Sequence, residues 1–93
     1  MKPYTDIFKK PIKRDEVATA TRLVVSSGRV STSLIQRRMQ IGYGKAARIV
    51  ELLEDAKVVD LMHNGHRTII LKNEEAAVNA ALRQFKKGKL KKG

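Results

Sequence analysis

The 93-residue chain contains no cysteine. That excludes a disulfide framework and thiolate chemistry. Nowhere do 18 apolar residues stand together, so no segment reads as a membrane-spanning helix, and the apolar run of a signal peptide is missing. The expectation is a soluble cytoplasmic protein with no membrane partner. Catalytic signatures are missing too. No G-x-x-x-x-G-K-[ST] phosphate loop is present: "GYGK" lacks the upstream glycine and the following Ser or Thr. There is no catalytic triad, paired-carboxylate site or cofactor loop, so neither an enzyme nor a cofactor is expected. Acidic side chains are few. Nine Asp and Glu face twenty Lys and Arg, for a net charge of +11. That balance predicts attraction to a polyanion: nucleic acid, an acidic membrane surface or an acidic protein. The length suits one small domain with a modest core.

The charge is unevenly placed. Residues 1–14 carry five basic and one acidic side chain, and residues 73–93 carry six and two, so each flank is +4. Residues 15–72 hold nine and six, only +3. Two basic flanks therefore surround a nearly balanced, periodic centre. The closing "KKGKLKKG" is low in complexity and has almost nothing to bury, so 88–93 reads as a disordered tail. Flexible lysines on both flanks suit phosphate contacts that do not read sequence.

The centre reads as three helices and a hairpin. In "RDEVATATRLVVSSG", Val17, Ala20, Thr21 and Val24 fall on one helical face, Asp15 and Glu16 suit the first turn, and Gly28 marks a stop. Ser31 reads as the N-cap of a short helix, "TSLIQRRMQ", which offers Leu34, Ile35 and Met39 to a core. A third helix runs from Tyr43 or Gly44 to Ala56. Ala46, Ile49, Val50 and Leu53 form its buried stripe, and Gly44, Arg48, Glu51 and Asp55 a polar one. The period then changes. "KVVDLM" and "RTIILK" are rich in β-branched residues and flank His63-Asn64-Gly65-His66, where Asn-Gly is a strong hairpin signal. Asn73 suits the cap of a fourth helix, over 73–87, with Val78, Ala81, Leu82 and Phe85 on one face as core or as a homo-oligomer contact. The fold class expected is α+β, mainly α: a winged helix-turn-helix over 15–72, with three helices, a two-stranded wing and an extra C-terminal helix.

That order assigns roles to residues. In a helix-turn-helix the second helix of the motif enters the major groove with its N-terminal residues first. Gly42 suits a sharp turn, and Gly44 lets the helix N-terminus approach phosphate closely. Lys45 and Arg48 lie on or beside the exposed stripe, and arginine is the commonest reader of guanine. Arg37 and Arg38 suit backbone contacts, or are simply a solvated face. Tyr43 suits a phosphate bond or packing in the turn. Ser31 joins the backbone candidates. At the wing tip, Asn64, His66 and Arg67 suit sugar or phosphate. His63 and His66 form H-x-x-H, but a metal site needs further ligands that the pattern does not supply, so no metal is expected.

"VSTSLIQRRMQIGYGKAARIVELLEDAKVV" followed by "HNGHR" resembles the gamma domain of the FtsK DNA translocases, over residues 16–71. The resemblance implies a winged-helix module that recognises short polar DNA sequences and so orients translocation. The family's recognition helix reads "GYNRAARIIEQME", and its asparagine, second arginine and first glutamate are the base readers. Arg48 and Glu51 match the last two, Gly44 stands where the asparagine would be, and Lys45 replaces an arginine. An asparagine bonds bidentately to adenine and a glycine cannot. The resemblance therefore implies guanine and cytosine readout by Arg48 and Glu51, with Gly44 departing from the adenine reader. The motor that normally precedes this module has no counterpart here, which leaves a fragment or a free-standing small protein as expectations.

The reading is sequence-specific binding of double-stranded DNA by a nucleoid-associated protein, with a translocase or another protein as a further partner. Three alternatives stand beside it. They are a small dimeric transcriptional or copy-number regulator, a non-specific architectural nucleic-acid-binding protein, and a module that docks on an acidic protein.

Overall fold

The computed structural model describes residues 11–60 and 68–92, with residues 88–92 described by their backbone alone. Helix α1, Arg14–Ser27, starts without a capping side chain on Lys13. Instead Glu16 reaches back, and its Oε1 accepts the Lys13 backbone N–H at 2.9 Å. Asp15 and Glu16 also place negative charge at the positive end of the helix dipole. Val17, Ala20, Thr21 and Val24 are buried, the face that the spacing predicts. The Thr21 hydroxyl donates to the Val17 carbonyl at 2.7 Å, so its burial leaves no polar group unpaired. Gly28, at φ +73°, ends the helix in the left-handed conformation.

Helix α2, Thr32–Met39, begins as expected: the Ser31 hydroxyl oxygen accepts the Leu34 N–H at 3.2 Å. Ile35 is fully buried, Met39 packs against the core, and Leu34 is half-buried. Helix α3, Tyr43–Asp55, carries the main buried stripe of Ala46, Ile49, Val50 and Leu53. Burying side chains such as Ile49 and Leu53 stabilises the fold by about 1.5–3 kcal/mol each. Helix α4, Glu74–Lys92, is capped by Asn73, whose Oδ1 accepts the Ala76 N–H at 2.8 Å. It buries Ala77, Val78, Ala80 and Ala81, chiefly against α1, while Leu82 and Phe85 are half-buried at the edge of the core. Its backbone stays helical to Lys92, past residue 87, where composition suggests a tail.

The expected two-stranded wing is overturned. Among the described residues there are four helices and no strand, and the segments after α3 and before α4 meet only in an isolated antiparallel bridge, Val59 to Ile69. The fold of the described residues is therefore helical rather than an α+β winged helix. On the helix side of that bridge, pairing stops because of how α3 ends; residues 61–67, the rest of the expected wing, lie outside the described residues. The Lys57 N–H bonds the Glu54 carbonyl at 3.1 Å and the Val58 N–H bonds the Leu53 carbonyl at 3.0 Å. This is the paired bonding of a Schellman ending, with Leu53 and Val58 both buried in the core. Val58 thus commits its N–H to helix termination, while its carbonyl accepts from both Ile70 and Leu71. A regular ladder cannot propagate through such a residue. Val58 and Val59 are also both buried, which breaks the alternation a pleated strand needs.

A second expectation moves by two residues. Gly42 has φ −72° and ψ 161°, extended backbone open to any residue. The left-handed residue of the α2–α3 turn is Gln40, at φ 55°, and Lys57 takes the same conformation after α3, at φ 66°.

Candidate nucleic-acid interface

The turn over residues 40–42 delivers the start of α3 to the surface. Tyr43 is 62% exposed. A Cβ built on Gly44 would meet nothing within 4 Å, and Gly42 is equally open. The first N–H groups of α3 have no intrahelical acceptor, as at any helix start, and they sit at the positive end of its dipole. Across the turn, Arg37 and Arg38 are exposed in the last turn of α2. Further along α3, Arg48 is half-buried and Glu51 exposed, on the stripe that begins at Gly44. Gly44, Arg48 and Glu51 recur at i, i+4 and i+7, so the helix period aligns them opposite Ile49 and Val50.

Lys45, a candidate for a DNA-backbone contact, is engaged within the fold. Its Nζ lies 3.0 Å from Oε2 of Glu16, with only 14% and 20% of the two side chains exposed. One Glu16 carboxylate therefore holds two groups: the Lys13 N–H through Oε1 and the Lys45 ammonium through Oε2. Burial pushes the Glu16 carboxyl up, but the Lys13 hydrogen bond and the Lys45 ammonium outweigh it, leaving the group below its ordinary value. The pair ties the first turn of α3 to the first turn of α1. Sequence reasoning missed Glu16 as a partner, because nothing local relates residue 16 to residue 45.

Ser31 serves as the N-cap of α2, with its hydroxyl oxygen engaged by Leu34. Asn64, His66 and Arg67, the wing-tip candidates, lie outside the described residues, as does His63. Among the described residues no group of His, Asp or Glu is placed to hold a metal ion, and no helix is long and apolar enough to cross a membrane.

The described residues make a small helical domain that presents a short helix, a tight turn and a glycine-led third helix at its surface. The chain belongs to the Ftsk gamma domain family, whose model matches residues 13–72. It is 43% identical over 56 residues to the DNA translocase FtsK of Pasteurella multocida, covering 60% of this chain and 6% of that protein. It is 48% identical over 52 residues to the DNA translocase FtsK of Pseudomonas aeruginosa, covering 55% of this chain and 6% of that one. With the DNA translocase FtsK of Mycobacterium leprae it shares 36% identity over 69 residues, 73% of this chain and 8% of that protein. The chain thus spans less than a tenth of the length of these relatives. The family match ends before α4 begins.

Proposed function

We propose that this chain binds double-stranded DNA sequence-specifically, with the start of α3 in the major groove and no catalytic role of its own. The observation that carries the reading is the exposed opening of α3: a glycine at position 44 with open space around it, beside an exposed Tyr43 and in line with Arg48 and Glu51. A backbone without a Cβ there can approach a base edge or phosphate closely. Arg48 supplies a fork for guanine and Glu51 an acceptor for cytosine. Arg37, Arg38 and Tyr43 flank this line and suit phosphate. Lys45 acts mainly by fixing the pose of α3 on α1. Membership of a family found in DNA translocases and a net charge of +11 both support a nucleic-acid partner.

A selection from a random duplex library tests this. Enrichment of a short motif containing G·C pairs is expected. Tight binding that enriches no motif would instead make the chain a non-specific architectural binder. No binding at low salt would favour an acidic protein partner.

A further inference from the structure

We propose that the groove between the start of α1 and the later part of α4 is a second DNA-contact surface, which takes the phosphate backbone beside the stretch read by α3. The inference rests on the reading that α3 binds duplex DNA, and it assigns a separate, sequence-blind role to a different face.

The groove is lined by Arg14 of α1 and by Asn79, Leu82, Arg83, Phe85 and Lys86 of α4. Half of these residues are cations and none is an acid. Arg14, Arg83 and Lys86 are exposed, while Leu82 and Phe85 pack against the core and form a fixed floor. Position supplies the link to DNA. The Lys45–Glu16 pair joins the first turns of α3 and α1, and Arg14 stands in that same turn of α1. The later part of α4 therefore lies at the same end of the domain as the opening of α3. A duplex that takes α3 into its major groove presents a sugar–phosphate strand on either side of it, one charge per about 1.7 Å of axis.

The charge along α4 is polarised in the same sense. Glu74 and Glu75 occupy its first turn, whereas Arg83, Lys86 and Lys87 lie in the later part. The helix dipole favours such an order, but it does not account for Arg14, which belongs to another helix, or for Arg83, which lies well before the last turn. The cations converge on a place rather than on a helix end. All the lining residues except Arg14 fall beyond residue 72, outside the family match. Most of the surface therefore lies outside the shared domain. An acidic peptide would also meet these cations, but the half-buried Leu82 and Phe85 offer it little apolar surface, and the neighbouring α3 already favours DNA.

The test compares three full-length proteins: wild type, Arg83→Gln/Lys86→Gln, and the control Arg22→Gln/Lys57→Gln. The control removes the same two charges from exposed positions in the second half of α1 and just past α3. Each is titrated with a library-selected duplex and with random duplex across a salt series, with far-UV circular dichroism to confirm helicity. The groove variant should weaken both duplexes by the same factor. Its log–log salt slope should become shallower by roughly 2, at about 0.9 per lost phosphate contact. The control should change both far less. The single variant Lys86→Gln should give about half the slope change. Equal behaviour of groove variant and control would overturn the proposal while leaving α3 as the reader, and would turn attention to an acidic protein for the groove. A loss confined to the selected duplex would overturn it too, because the groove would then be reading sequence. Wild type that binds neither duplex would overturn the reading of α3 itself.

Discussion

Gly44→Asn is the most informative single change in α3. The residue sits in the first turn, its φ is outside the left-handed region, and a Cβ would meet nothing within 4 Å. An asparagine is therefore accommodated without moving a neighbour. Its effect on stability is a few tenths of a kcal/mol in favour of the variant, because glycine is the weaker helix former. Its effect on DNA is larger if position 44 faces the groove. A bidentate bond from an asparagine to adenine N6 and N7 discriminates by about 1–3 kcal/mol. That corresponds to roughly 5- to 150-fold between adenine and another base, at 1.4 kcal/mol per factor of ten. Only one base position should respond, and affinity for random duplex should hardly change. The assay is the random-library selection run in parallel on wild type and variant, followed by titration of duplexes that differ at the responding position. A variant with unchanged melting temperature and unchanged base preference would refute the placement of Gly44 on the base-facing side of α3, and with it the alignment of the stripe through Arg48 and Glu51.

Arg48→Ala should cost about 1–3 kcal/mol on the selected duplex and much less on random DNA; equal losses in a titration of both would make it a phosphate contact. Glu16→Gln should lower stability at neutral pH by about 0.5–1 kcal/mol, the scale of a mostly shielded single ion pair. Because the folded state holds the Glu16 carboxyl below its ordinary value, the stabilisation is full at neutral pH and fades as the pH falls through the folded-state titration. Denaturant curves for the two proteins should therefore converge in acid, and a constant gap across pH would exclude the ion pair as the cause. Lys57→Gly should raise stability by roughly 0.5–1 kcal/mol, since a left-handed lysine costs about 1–2 kcal/mol and glycine returns part of that through its freer unfolded chain; thermal unfolding measures it, and a loss would mean that the lysine side chain makes a compensating contact.

Local pattern by itself determined the helices. Val17, Ala20, Thr21 and Val24, and again Ala46, Ile49, Val50 and Leu53, are buried as their 3.6-residue spacing requires. Ser31, Asn73 and Gly28 cap or stop the helices they border, because a cap is a contact among neighbours in sequence. The open start of α3 and its Gly44, Arg48 and Glu51 stripe were legible for the same reason. What local pattern misplaced depends on partners far along the chain. "KVVDLM" and "RTIILK" have strand composition, yet the core claims both Val58 and Val59, and helix termination uses the N–H of Val58. The left-handed conformation falls on Gln40 and Lys57 rather than on Gly42, because the path into the next element dictates it and residue preference only modulates its cost. Glu16 meets Lys45, and Arg14 meets the later part of α4, only because α1 packs against both α3 and α4. Side-chain period is a property of one segment, whereas ion pairs, grooves and the fate of a weak strand are settled by which segments share the core.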